Sequence, residues 1–181
     1  MADYPQRKRL RYKGYDYASY GSYFITICSY ERQFTFGEII DEKINLSNYG
    51  KIVNEDLETL IGHYDFVHIE NFVVMPNHVH ILINLISQDL KYLKQGIIPP
   101  KNTKSISHII GAYKSGLTRR ITAELENGIK KDIWQVSFHD RVVRNDHEYE
   151  TFYRYIIANP SVWGNDVHNP IHPHYKKWEP K

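Results

Sequence analysis

The stretch Asn71 to Leu85, NFVVMPNHVHILINL, constrains the fold more than any other part of the chain. Two apolar runs flank a Met75-Pro76-Asn77 break, and His78 and His80 open the second run. Alternate residues of a strand share a face. His78 and His80 therefore project together, while Val79 points the other way into a core. Two imidazoles side by side on a rigid strand are the beginning of a metal site. A divalent ion needs further ligands, so other parts of the chain must converge on that face.

The 181 residues suggest one domain, and 41% hydrophobic content is enough for a core. A net charge of +2 does not imply nucleic acid by itself. Its distribution says more: Arg7, Lys8, Arg9, Arg11 and Lys13 cluster near the start against a single Asp3. Such a run is either a solvated arm or a phosphate-binding arm. Cys28 is the sole cysteine, so no disulfide forms within the chain, and a reducing cytoplasm is the expected location. As one thiol in an apolar run, it reads as a small buried hydrophobe. No apolar run approaches the ~20 residues of a membrane span, and no membrane association is expected.

In order, residues 1–20 read as a basic arm, residues 21–165 as one domain and residues 166–181 as a tail. Gly21 to Tyr30 alternates as a first strand, and Gln33 to Leu46 reads as a hairpin around Asp41-Glu42-Lys43. Ser47 or Asn48 caps a helix from about Tyr49 to Ile61, ending near Gly62. Asp65 to Val74 and His78 to Leu85 are the strands on either side of the proline break. Residues 87–104 are long for a loop in a compact domain. Ser105 to Leu125 is the clearest helix, with a stripe of Ile106, Ile109, Ile110, Tyr113, Leu117, Ile121 and Leu125. Lys114, Arg119 and Arg120 lie off that stripe and can either meet phosphates or line a solvated face. Asp132 to Arg144 reads as another strand. Asn145 or Asp146 caps a last helix that stops at Asn159-Pro160. His168, His172 and His174 follow in a proline-rich tail; three histidines there are a metal-binding candidate, but their irregular spacing reads sooner as a surface tail. This order of elements suggests an α+β domain, a mainly antiparallel sheet with helices packed on it.

The last helix offers the missing chemistry. Tyr155 and Asn159 are four residues apart and share a face. Laid over the sheet, that helix would aim both at His78 and His80. An amide oxygen beside two imidazoles, without thiolate, suits magnesium or manganese better than structural zinc. Asn159 can equally cap the helix end. A phenol attacking a phosphodiester would form a covalent enzyme–DNA ester. Singly, each feature has a plainer meaning: His-x-His pairs are often two satisfied polar residues, and helical tyrosines mostly pack.

The segment VVMPNHVHILI resembles the His-hydrophobe-His (HUH) motif of single-tyrosine transposases, especially the REP-associated ones. The likeness extends over RKRLRYKGYDYASYGSYFITICSYERQFTFGEI, SHIIGAYKSGLTRRI, WQVSFHDRVVRN and YRYIIANP. It implies a ferredoxin-like sheet with the motif on a central strand. It also implies a metal held by His78, His80 and a polar residue at Asn159, with Tyr155 as nucleophile. Tyr149 and Tyr153 share the helix but lack the four-residue offset to Asn159. The implied reaction cleaves and rejoins single-stranded or hairpin DNA, leaving a 5′-phosphotyrosine and a free 3′-OH. Relatives work as monomers or as dimers that exchange the tyrosine helix. Two other readings stand beside this one: a DNA-binding module of the same lineage with idle chemistry, and a zinc hydrolase using His78, His80 and a carboxylate such as Glu70.

Overall fold

A computed structural model describes residues 19–60, 64–86 and 104–170. The basic arm with Arg7, Lys8, Arg9, Arg11 and Lys13, the 87–103 stretch, Gly62, and His172 and His174 lie outside the described residues.

The strands are β1 (Gly21–Cys28), β2 (Gly37–Ile40), β3 (Lys43–Leu46), β4 (Val67–Met75), β5 (His78–Leu85) and β6 (His139–Val143). The helices are α1 (Asn48–Leu60), α2 (Ile106–Glu124) and α3 (Asp146–Ala158). Four strands form one antiparallel sheet in the order β4-β5-β1-β6, while β2 and β3 pair separately as a hairpin. Leaving the hairpin aside, the order is β-α-β-β-α-β, the split βαβ pattern of ferredoxin-like sheets. The histidine strand, β5, is flanked on both sides, by β4 and β1.

Local chemistry explains most boundaries. The β2–β3 turn places Asp41 and Glu42 at φ 48° and 62°, the two positive values that a type I′ hairpin needs. Ser47 caps α1 by accepting the Gly50 N–H at 3.1 Å. Ser105 and Asn145 cap α2 and α3 in the same way. Asn127 and Gly128 take positive φ just past α2 and stop it.

The sheet has two covered faces. On one, Val79, Ile81, Ile83 and Leu85 of β5 join Tyr23, Ile25 and Ile27 of β1 in a core closed by α1 and α2. Alternation then turns His78, His80 and Leu82 to the opposite face, beside Phe24 and Thr26. There α3 lies across the sheet, with Phe152 stacked on Phe24 at 4.4 Å between ring centroids.

One expected element is shorter than its sequence suggests. The expected strand over Asp132 to Arg144 survives only as β6. Upstream of it, Trp134 makes an isolated bridge to Ser29, and Tyr30 N–H donates to the Ile133 carbonyl. Trp134 and Phe138 are buried by packing on the core rather than by pairing in the sheet.

Candidate active site

Both histidines are buried, His78 completely and His80 with 2% exposure. Cross-strand pairing sets His80 opposite Thr26 and His78 opposite Cys28. The Thr26 hydroxyl meets His80 Nδ1 at 2.9 Å. Asn77 Oδ1 meets His78 Nδ1 at 2.9 Å. The Asn77 amide nitrogen donates to the carbonyls of His168 and Arg32, so its oxygen is an acceptor and His78 Nδ1 must carry the proton. His78 Nε2 is thereby a bare lone pair. If Thr26 accepts in the same sense, so is His80 Nε2. This is the outer arrangement that orients metal-binding histidines. Burial holds both imidazoles well below their usual pKa, with neighbouring imidazoles pushing the same way.

The last helix brings its tyrosine to this pair. The Tyr155 ring lies 5.2 Å from that of His80, centroid to centroid. Its hydroxyl donates to Asp166 Oδ2 at 3.1 Å. Burial first, and the Asp166 charge second, push the phenol up to about 12. Tyr149, by contrast, accepts from the Asn84 amide near the other end of β5.

Asn159 is fully buried at the C-terminal end of the helix, and its amide nitrogen donates to Asp166 Oδ2 at 3.2 Å. A carboxylate requires a donor, so the Asn159 oxygen faces the other way. Four buried atoms here have no hydrogen-bond partner: His78 Nε2, His80 Nε2, Asn159 Oδ1 and His168 Nδ1. Buried lone pairs without donors are costly. In this cluster they fit a Lewis-acidic cation. The ligand atoms of His78, Asp166 and His168 lie within 4.8 Å of one another.

His168 was expected on a surface tail, and it is not there. The turn after Pro160 folds back over α3, burying Asp166 and Asn169 to 5% and 3% exposure and half-burying His168. Its ring lies 4.5 Å from His78 and 6.1 Å from His80. Asp166 and Asn77 are the members of this cluster that the sequence did not single out. Asn77 stands beside the motif in the Met-Pro-Asn break, a buried polar side chain with no apolar period to mark it. Glu70, the carboxylate considered for a zinc hydrolase, is exposed on β4 and faces His68 at 3.5 Å. Asp166 is the carboxylate at the histidines.

The cations on α2 divide differently from expectation. Lys114 is half-buried, and its ammonium donates to the carbonyls of Gln135, Val136 and Ser137, pinning the segment before β6. Arg120 is engaged by Glu55, Asp56 and Glu124. Neither is poised for a phosphate, because each charge already has internal acceptors. Arg119 is exposed and borders an open cleft with Lys130 and Lys131. Cys28 is buried, and burial raises its thiol to about 11, far from a nucleophile.

No protein-family model matches the chain. Its fold is similar to the solved structure of a REP-associated tyrosine transposase bound to a REP hairpin. The TM-score is 0.57 at 20% identity, over 94% of this chain and 92% of that one. That likeness is one of fold, and in it the His78–His80 pair stands on β5, a strand flanked on both sides. The chain is also 34% identical over 167 residues to an uncharacterized protein of Haemophilus influenzae, covering 88% of this chain and 91% of that one. It belongs to one family with that protein. No helix among the described residues is long and apolar enough to cross a membrane.

Proposed function

We propose that the chain is a transposase that cleaves and rejoins single-stranded DNA through a 5′-phosphotyrosine on Tyr155, using a divalent metal. The observation that carries this reading is the meeting of the Tyr155 phenol with His80 and Asp166 inside one chain. It supports a site that is complete in a monomer, without exchange of the tyrosine helix.

In the forward step the Tyr155 oxygen attacks phosphorus. The bond from phosphorus to the 3′-oxygen breaks, and that oxygen leaves as a hydroxyl after taking up a proton. The phenol proton has Asp166 within hydrogen-bond reach. The reverse step returns a 3′-hydroxyl to the phosphotyrosine and restores the phosphodiester without an external energy source. His78, His80 and Asn159 would hold magnesium or manganese, which when bound polarises the phosphate. Asn77 and Thr26 keep the two imidazoles oriented.

The similar transposase is bound to a REP hairpin, and a strand carrying a hairpin is the proposed substrate here. Arg7, Lys8, Arg9, Arg11, Lys13 and Arg119 are the cations proposed to meet its phosphates.

The test is incubation with a hairpin-bearing single-stranded oligonucleotide and magnesium or manganese, followed by a denaturing gel. A covalent protein–DNA band is expected, lost in Tyr155→Phe and kept in Tyr149→Phe and Tyr153→Phe. Binding without any adduct would favour the idle DNA-binding module. An adduct surviving in Tyr155→Phe would reassign the nucleophile.

A further inference from the structure

We propose that Phe34, backed edge-on by Trp163, is a stacking platform for one unpaired base of the DNA strand, beside the phosphodiester that reacts. This rests on the reading that the cluster at His78 and His80 works on single-stranded DNA, and it adds where a base of that strand sits.

Two ring contacts join the platform to the cluster. The Trp163 ring lies 6.0 Å from that of His78, tilted by 32°. The Phe34 ring meets Trp163 at 6.0 Å and 63°, an edge-on pair within the favourable range for aromatic contacts. Trp163 is half-buried, whereas Phe34 is 52% exposed. The turn that carries Trp163 also carries Asp166, whose N–H donates to the Trp163 carbonyl at 3.0 Å. The Asn169 amide donates to the same carbonyl at 2.9 Å.

An exposed apolar side chain is ordinary by itself. Phe34 differs in how its backbone is held. The Ser29 hydroxyl donates to the Gln33 carbonyl, and the Ser47 hydroxyl to the Thr35 carbonyl, both at 2.7 Å. Phe36 N–H donates to the Pro76 carbonyl at 3.0 Å, and the Phe36 ring is fully buried. The Asn77 carbonyl accepts from Ser29 N–H at 2.9 Å, and its side-chain amide donates to the Arg32 carbonyl at 3.3 Å. The Pro76-Asn77 break that opens the histidine strand therefore also fixes the loop on which Phe34 stands. A ring held in place in this way loses little freedom when a planar ligand lies on it.

The neighbourhood selects the occupant. A strand held at His78 and His80 carries bases on either side of the reacting phosphate. Every base has a π-face, so an aromatic ring takes one without reading its sequence. Inside a duplex both faces are covered by neighbouring pairs, so the platform takes an unpaired base. Arg32 stands two residues before Phe34, and its positive charge reaches His78 and His168. That field suits the phosphates of the same strand.

The test measures binding of the full chain, without divalent ion, to a hairpin-bearing oligonucleotide. One abasic site is moved stepwise through its single-stranded arm. At one position it should weaken wild-type binding by roughly five- to 150-fold. Phe34→Ala should weaken binding of the intact oligonucleotide by a similar factor, with no further loss from the abasic site at that position. Phe34→Tyr, which keeps the ring, should bind as the wild type does, and Phe34→Leu, which keeps apolar bulk alone, should not. The tyrosine variant separates a lost stack from a damaged fold. Wild-type affinity in Phe34→Ala or Phe34→Leu, or losses that multiply at every abasic position, would overturn the proposal. With the Tyr155-dependent adduct still formed, that result would leave the transposase reading intact. Coupled losses without an adduct would keep the platform and overturn the phosphotyrosine chemistry. Failure of the wild type to bind the oligonucleotide would overturn both.

Discussion

The Tyr155 hydroxyl donates a 3.1 Å hydrogen bond to the carboxylate of Asp166, across the turn that follows the last helix. Burial and that negative charge push the phenol up to about 12. Such a hydroxyl attacks phosphorus well only if its proton departs as the new bond forms, and Asp166 is placed to take it. Asp166→Asn keeps an acceptor but removes the base. Adduct formation should slow by about 10²-fold or more, with hairpin-DNA affinity unchanged. Single-turnover kinetics beside equilibrium binding measure the split, and an unchanged rate would remove Asp166 from the proton's path.

Acid should destabilise the metal-free protein. Burial lowers His168 from 6.5 to about 4 and holds His78 and His80 well below 6.5. Below pH 6.5 the unfolded chain therefore binds protons that the folded chain refuses, and stability falls as pH falls. The contribution is fully present above pH 6.5 and is lost for His168 down to about pH 4. Thermal melts across that window should show a steady decrease in Tm. A flat profile would contradict neutral buried imidazoles.

Arg119 and Arg120 should behave oppositely in DNA binding. Arg120 is occupied by three carboxylates, so Arg120→Ala should leave the salt dependence of binding unchanged. Its stability cost should be at most ~1 kcal/mol, screened by salt. Arg119→Ala should lower the salt slope by about one unit. Binding isotherms at several salt concentrations decide between them. A slope change in Arg120→Ala would mean that its ion pairs open on DNA.

Gly50 should not tolerate a side chain. A Cβ there would stand 2.0 Å from the Phe36 carbonyl oxygen. That contact seats the β2 approach against the first turn of α1. Gly50→Ala should cost on the order of 1–3 kcal/mol or more, read as a lower urea midpoint. Gly111→Ala, with open space around it, should be neutral or stabilising.

Much of this architecture is written in short-range pattern. Alternation in ITIC and HVHILINL states which residues face the core, and it already turns His78 and His80 away from it. Ser47, Ser105 and Asn145 mark helix starts by their own hydrogen-bonding chemistry, and the offset between Tyr155 and Asn159 places both on one side of a helix. Asp166 and His168 carry no such mark. They lie in an irregular turn whose direction depends on contacts as remote as that of Asn77 with the His168 carbonyl, 91 residues away in sequence. Lys114 and Arg120 show the same limit: a charge off the apolar stripe reads as available until its partners, on other elements, come into range. Periodicity records burial because burial repeats with the backbone's own turn. The identity of a polar group's partner does not repeat, and it exists once distant segments have been packed together.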